Sequence, residues 1–91
     1  MTVEVTLAPA LAEAIGGERT LQVEGSTVGE VLRDLGERRA PLARLLWRDG
    51  DVLNPMLMVF RNRDDVRTLE GLATPVRPGD EVAVIAAVDG G

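Results

Sequence analysis

The chain has 91 residues and a net charge of −5 at pH 7, and 45% of its residues are hydrophobic although only 2% are aromatic. This length allows one small domain with an aliphatic core, and the acidic balance argues against a nucleic-acid partner, whose phosphates need a basic surface. The sequence has no cysteine and no histidine. Their absence excludes a cysteine nucleophile, a disulfide framework, ordinary zinc sites and the usual general base near neutral pH.

The basic residues are also unusual, because all ten are arginine and none is lysine. The side chains therefore offer no amine for acylation. The apolar runs are too short to be a membrane span, and no signal or transit peptide is recognisable. We therefore expect a cytoplasmic protein without a membrane partner.

Two alternating segments in the first quarter of the chain predict strands. Residues 2–7 and residues 19–24 each alternate apolar and polar side chains, which is typical of half-buried strands, and their separation favours a hairpin. Between them, residues 10–15 predict a helical turn that ends at Gly16 and Gly17.

The next segment predicts the main helix. Thr27 is followed three residues later by Glu30, which is the spacing of a capping box. One apolar stripe follows at i, i+3, i+4 and i+7, formed by Val28, Val31, Leu32 and Leu35. Gly36 is expected to weaken the last turn and Pro41 to prevent further regular helix, although residues 42–47 favour a short second helix.

Two features in the middle of the chain allow both a structural and a functional interpretation. Trp47 is a candidate partner anchor, but packing against the domain is the favoured role. Asp49, Gly50 and Asp51 resemble a fragment of a calcium loop, but the remaining ligands are missing, so the pattern favours a turn.

The remaining segments predict strands separated by turns. Residues 56–61 predict a third strand, residues 62–65 a turn, and residues 66–67 a brief return strand. Asp64 and Asp65 are adjacent and would point to opposite faces of a strand, so they are turn residues and not a cooperating acid–base pair. A strong turn at residues 76–80 leads into a final strand at residues 81–88.

This order of elements predicts an α+β fold. Two hairpin strands, a helical crossover and further strands give a mixed sheet of about five strands over one main helix, with the first and last strands as parallel neighbours. This is the β-grasp, or ubiquitin-like, pattern. We expect residues 1–88 to form the domain and residues 89–91, Asp-Gly-Gly, to form a flexible tail. Such a tail would enter a narrow slot in another protein, although terminal glycines that merely fray are the alternative.

A set of short features runs through nearly the whole sequence in this order: Val3-Glu4-Val5, Gly25-Ser26-Thr27-Val28, Val31-Leu32 with Leu35, Asn62 with Asp64-Asp65-Val66-Arg67, Gly71-Leu72-Ala73-Thr74, Pro78-Gly79-Asp80-Glu81-Val82 and Gly90-Gly91. With these features the sequence resembles the ubiquitin-like sulfur carriers of the MoaD/ThiS family. No single feature is specific, but the ordered set is. The sequence departs from the family at Arg61, because the family usually has valine before the asparagine.

The family includes the molybdopterin synthase small subunit and the carriers of the thiamine and cysteine pathways. Residues 40–55 and the two stretches around Val66 and Gly71 are most similar to the cysteine-pathway branch, which includes CysO. The resemblance implies that the chain is a carrier and not an enzyme, and that it binds no cofactor or metal of its own.

The resemblance also implies the chemistry of the tail. An E1-like adenylyltransferase/sulfurtransferase would use ATP to convert the Gly91 carboxylate into an acyl-adenylate. A sulfur donor would then displace AMP, and the resulting thiocarboxylate would donate sulfur to a sulfur-accepting synthase, in cysteine or molybdopterin biosynthesis or a related pathway. Gly90 would let the backbone pass through the slot.

The partner is expected to bind an apolar patch on the outer face of the sheet. Glu81 marks the outward face of the last strand, so Ala83, Ile85 and Ala87 share that face. In the third strand, the family likeness implies that Leu57 and Val59 point inward. The predicted partner-binding residues are Met58, Phe60, Ile85 and Ala87. The alternative is that Phe60, as the only phenylalanine, belongs to the core.

Three other functions stay open at this point. The chain would be a non-catalytic ubiquitin-like binding module if its tail never became thiolated. It would be a permanent synthase subunit if the tail stayed docked in a larger enzyme. It would be a protein modifier if Gly91 became joined to lysines of other proteins.

Overall fold

The computed structural model of the protein describes residues 2–50 and 52–86. Within these residues the strands are β1 (Val3–Leu7), β2 (Thr20–Val23), β3 (Trp47–Arg48), β4 (Val52–Leu53), β5 (Leu57–Arg61), β6 (Asp64–Asp65) and β7 (Glu81–Ala86). The helices are α1 (Pro9–Ala12), α2 (Val28–Arg38) and α3 (Ala40–Leu46), with short 3₁₀ turns at Glu13–Ile15, Val66–Thr68 and Gly71–Ala73.

Five of these strands form one mixed sheet in the order β2-β1-β7-β5-β6. β1 pairs antiparallel with β2 and parallel with β7, and β7 pairs antiparallel with β5. The parallel neighbours are therefore the first and last strands, as the sequence predicts. The α+β architecture, with α2 across one face of the sheet, is the predicted β-grasp, and β3 and β4 form a separate small hairpin.

The core lies between α2 and the inner face of the sheet. The predicted alternation in β1 is confirmed, because Val3, Val5 and Leu7 are buried while Glu4 is exposed. The predicted stripe of α2 is also confirmed, since all four of its members are fully buried: Val28, Val31, Leu32 and Leu35. Aliphatic side chains fill this core, as the low aromatic content requires.

The start of α2 differs from a simple capping box. Thr27 Oγ1 accepts a hydrogen bond from the Glu30 N–H at 3.2 Å, as predicted. The Glu30 carboxylate, however, accepts from the N–H and the hydroxyl of Ser26, both at 2.8 Å. The carbonyl of Thr74 accepts the Val28 N–H at 2.9 Å, so the Gly-Leu-Ala-Thr stretch helps to hold the beginning of this helix.

Helix α2 ends at Arg38, before Pro41, and the predicted second helix follows, but Pro41 is not the residue that ends α2. Pro41 lies in the first turn of α3, where a missing N–H costs nothing, and the break comes at Arg39, whose φ of −135° and ψ of 91° are extended. Gly36 lies within α2 and is buried. A Cβ at Gly36 would lie 3.1 Å from the Cβ of Ala43, so this glycine allows α3 to pack closely against α2.

The middle of the chain contains one further shift in boundaries. The predicted second helix ends at Leu46, and Trp47 begins β3. Trp47 packs against the core, as favoured, and the Arg33 guanidinium lies 4.3 Å from the centre of its ring. Asp49 and Gly50 both have positive φ, as expected for a turn; Asp51 lies outside the described residues.

The return strand after β5 also begins earlier than predicted. β6 is Asp64–Asp65, and residues 66–67 belong instead to a 3₁₀ turn. Asn62 adopts a φ of 57°, a left-handed conformation that asparagine tolerates better than most residues, so Asn62 and Arg63 suffice to reverse the chain.

Because α2 and α3 meet at Gly36, we expect Gly36→Val to lower the free energy of unfolding by about 1–3 kcal/mol, the usual cost of overpacking. Urea denaturation measures this. The matched background is Ala43→Gly, which removes the opposing Cβ and should reduce the cost of Gly36→Val by about 1 kcal/mol. Strictly additive effects would show that the two helices do not meet at this glycine.

Asp34 joins α2 to the edge strand β2. Its carboxylate accepts the Glu24 N–H at 2.8 Å and the Arg38 Nε–H at 2.7 Å. These two bonds, the backbone bond first, lower the pKa of Asp34. The stabilisation is therefore complete above the ordinary aspartate pKa of about 3.9 and is lost as the pH falls through the lower folded value.

We accordingly expect Asp34→Asn to flatten the loss of folding stability as the pH falls below about 4, as followed by urea denaturation at decreasing pH. Arg38→Gln keeps the larger contribution from Glu24 and should give an intermediate slope. An Asp34→Asn protein with the wild-type slope would contradict this assignment.

Candidate partner-binding face of the sheet

The outer face of the two central strands is apolar. In the register of β5 with β7, Met58 lies opposite Ile85 and Phe60 lies opposite Ala83. Ile85 is 41% exposed and the other three are partly buried, whereas their neighbours Val59 and Val84 are buried in the core. We call Met58, Phe60, Ala83 and Ile85 the outer apolar face.

The structure thus places Met58, Phe60 and Ile85 on one surface, as the sequence analysis expects. The alternative position for Phe60 is excluded, because Phe60 lies outside the buried core cluster. Ala87, Gly90 and Gly91 lie outside the described residues, so their roles stay predictions.

A shallow apolar groove of about 330 Å³ continues the outer apolar face beyond the end of β1. We call it the Pro9 groove. Its lining includes Ala8, Pro9 and Arg19 on one side and Ala83 and Ile85 on the other. It exists because β1 ends at Leu7 while β7 continues to Ala86.

The walls of the Pro9 groove are fixed by hydrogen bonds. The Ala8 N–H donates to the Val84 carbonyl at 3.0 Å, and Arg19 Nε donates to the Leu7 carbonyl at 2.8 Å. Sequence reasoning missed this groove. The only local feature of the sequence that points to the groove is Pro9. Pro9 shows where β1 ends, but it does not show that β7 continues beside that end.

The opposite end of the outer apolar face is polar. Thr6 Oγ1 donates to a Glu81 carboxylate oxygen at 2.7 Å. The Asn62 N–H donates to the Glu81 carbonyl at 2.7 Å, and the Glu81 N–H donates to Asn62 Oδ1 at 3.1 Å. Asn62 therefore fixes the beginning of β7, and the apolar part of the surface lies toward the end of β7 from which the predicted tail follows.

The carboxyl groups whose pKa is lowered have structural roles. The pKa of Glu30 is lowered by its bonds to Ser26, and the pKa of Asp65 by its bonds to Arg67. Within residues 2–50 and 52–86, no group of three or more metal-ligating side chains is placed to hold an ion.

Within the same part of the chain, no helix is long and apolar enough to cross a membrane.

The sequence matches the model of the ThiS family over residues 5–91, so the chain belongs to that family. It is 31% identical to the sulfur carrier protein CysO of Mycobacterium tuberculosis over 93 residues, covering 100% of both chains.

Solved structures support the same fold. The chain is similar to one in the crystal structure of the Amycolatopsis orientalis BexX/CysO complex, with a TM-score of 0.87, 32% identity and coverage of 98% and 99% of the two chains. It is also similar to the small archaeal modifier protein 1 of Methanosarcina acetivorans, with a TM-score of 0.89, 30% identity and coverage of 99% and 96%. The ubiquitin-like β-grasp fold is thereby confirmed.

Neighbouring positions on β7 provide a direct test of the outer apolar face. We expect Ile85→Asp to change the free energy of unfolding by less than about 1 kcal/mol, because the new carboxylate stays in water. Val84→Asp buries a charge in the core and should cost at least about 4 kcal/mol, which unfolds much of a domain of this size. Urea denaturation followed by circular dichroism measures both, and loss of folding in Ile85→Asp would show that Ile85 belongs to the core.

Proposed function

We propose that this chain is a sulfur carrier whose Gly91 carboxylate is activated by a partner enzyme and converted into a thiocarboxylate. The observation that supports this most strongly is the end-to-end similarity to a protein named as a sulfur carrier, within a family match that extends to Gly91. The outer apolar face supports it too, since the strand that bears Ile85 is the one that leads toward the predicted tail.

The chemistry starts from an unreactive group. A carboxylate resists nucleophiles because resonance and charge protect its carbon. In the proposed reaction, a Gly91 oxygen attacks the α-phosphorus of ATP and pyrophosphate leaves, which gives the acyl-adenylate. A sulfide-level donor then attacks the acyl carbon and AMP leaves. The product is a thiocarboxylate, which is anionic and nucleophilic near neutral pH by the same reasoning as a thiolate.

In this reaction the partner supplies ATP and the catalytic groups, and the chain supplies the reacting atom and its position. Residues 89–91 form the proposed flexible tail, which reaches about 10 Å when extended. Gly90 adds no side-chain width, so the tail passes through a narrow channel to the active site.

The outer apolar face is the proposed docking surface, together with Ala87. Apolar surface removed from water on binding contributes about 25 cal/mol per Å², and Met58 adapts its shape to different partners. An E1-like activating enzyme and a sulfur-accepting synthase would dock here in turn, because both need Gly91 delivered from the same direction.

Gly90→Val should prevent activation by width alone, leaving the fold intact. The measurement is intact-mass spectrometry after incubation with the E1-like enzyme, ATP and a sulfide source, which detects exchange of one oxygen for one sulfur. Gly90→Ala is the graded control and should react more slowly than wild type. Deletion of residues 89–91 should abolish the exchange without changing Tm. Normal exchange in Gly90→Val would contradict the narrow channel.

The similarity to a small archaeal modifier protein favours a second candidate, in which Gly91 is joined to lysines of other proteins. Both candidates begin with the same adenylate, so the product distinguishes them. Higher-mass adducts that vanish on deletion of Gly91 would support the modifier. A thiocarboxylate without adducts would support the carrier, and an unmodified tail would leave a binding module or a permanent synthase subunit.

A further inference from the structure

A second groove, of about 340 Å³, lies at the other end of β7 and is polar. Its lining consists of Arg61, Asn62, Pro75, Arg77 and Asp80. We call it the Arg61 groove. It lies where β7 begins, whereas Ile85 is near the end of that strand, and it shares no lining residue with the outer apolar face.

The groove depends on Arg61, the position at which this chain departs from the family pattern. Strand alternation gives Arg61 the inward orientation of Leu57 and Val59, and its partner in the register is the buried Val82. The Arg61 side chain reaches Pro75, where Nη1 donates to the carbonyl oxygen at 3.0 Å. This bond holds the guanidinium in place.

The other edge of the Arg61 guanidinium has no protein partner among residues 2–50 and 52–86. Nε is buried and has no acceptor, and it is the only buried side-chain nitrogen or oxygen in that part of the chain of which this is true. Nε and Nη2 point the same way and form the edge that binds a carboxylate through two parallel hydrogen bonds. A buried donor without an acceptor costs about 1–3 kcal/mol, so an oxyanion at this edge would remove an existing penalty.

The net charge of the groove is +1, which a ligand with one negative charge would neutralise. Arg61 and Arg77 provide two positive charges and Asp80 provides one negative charge. Asp80 is already committed, since its carboxylate accepts the Arg77 N–H at 2.9 Å and the Asn62 amide at 3.3 Å. The pKa of Asp80 is lowered by the Arg77 backbone bond first, then by the Asn62 bond and the charges of Arg61 and Arg77.

We propose that the Arg61 groove binds one carboxylate, supplied by a glutamate or aspartate side chain of a partner protein. The net charge of +1 suits a carboxylate better than a phosphate dianion, which Asp80 would repel. The carboxylate would bind the free edge of Arg61, and Arg77, which is exposed, would contact it from the other side. On an acidic protein this is a local positive site, so it orients a partner at the end of β7 opposite to Ile85. The inference does not depend on any reaction at the tail.

The test uses the whole chain labelled with ¹⁵N and two neutral-backbone probes, N-acetylglutamate amide and N-acetylglutamine amide, at equal ionic strength. We expect the glutamate probe to shift the Arg61 Nε–H signal and the Arg77 and Asp80 amide signals in a saturable manner. The glutamine probe has the same size without the charge and should leave them unchanged.

Variants show whether the Nε–Nη2 edge of Arg61 is responsible for binding the glutamate probe. Arg61→Gln should weaken binding of the glutamate probe about tenfold, and Arg61→Lys should do so nearly as much, because lysine keeps the charge and loses the two-bond edge. Arg63→Gln removes a neighbouring exposed arginine outside the groove and should bind as wild type does. Arg77→Gln, at an exposed site, tests the groove independently if the Arg61 variants do not fold.

Three outcomes would overturn the proposal. Shifts that grow linearly with the glutamate probe would show that no site exists. If Arg61→Lys binds the glutamate probe as tightly as wild type does, then positive charge alone, and not the two-bond edge, is responsible for the binding. Tighter binding of inorganic phosphate than of the glutamate probe would assign the groove to phosphate instead of a carboxylate.

Discussion

β7 lies in the middle of the sheet, paired in parallel with β1 on one side and antiparallel with β5 on the other. A strand bonded along both edges is held more firmly than an edge strand, and its Val82 and Val84 are fully buried. The last strand of the described residues is therefore held along both of its edges. Whatever follows Ala86 starts from a fixed point, as the proposed delivery of Gly91 to a partner would require.

The same pairing of β5 with β7 gives the two faces of the sheet different compositions and different roles. Alternation along β5 and β7 directs valine and leucine toward α2 and directs Met58, Phe60 and Ile85 away from it. The inner face provides stability, and the outer apolar face remains available to a partner. Polar contacts at Asn62 and Glu81 limit that surface at one end, while the Pro9 groove extends it at the side.

Much of this arrangement is predictable from the sequence because it depends on local periodicity. The alternation of β1, the stripe of α2 and the orientation of Ile85 follow from spacing alone, whereas the orientation of Met58 is implied by the family resemblance. The exchange of hydrogen bonds between Glu30 and Ser26, the close contact at Gly36 and the reach of Arg61 to Pro75 do not. The contacts of Gly36 and Arg61 depend on segments that only folding brings together. The Glu30 side chain has several possible local hydrogen-bond partners, and the sequence does not show which one it binds. Pro41 is instructive, since proline both ends helices and begins them, and only the conformation of Arg39 determines which.

If the domain presents one reactive carboxyl carbon to its partners, as proposed, then labelling that atom tests this function directly. Carbon-13 placed in the carboxyl group of Gly91 reports its bonding through its NMR chemical shift. With the activating enzyme, ATP and sulfide, we expect the carboxylate signal to be replaced by one thiocarboxylate signal and to return when a sulfur acceptor is added. A carboxylate signal that persists through complete ATP turnover by that enzyme would contradict it.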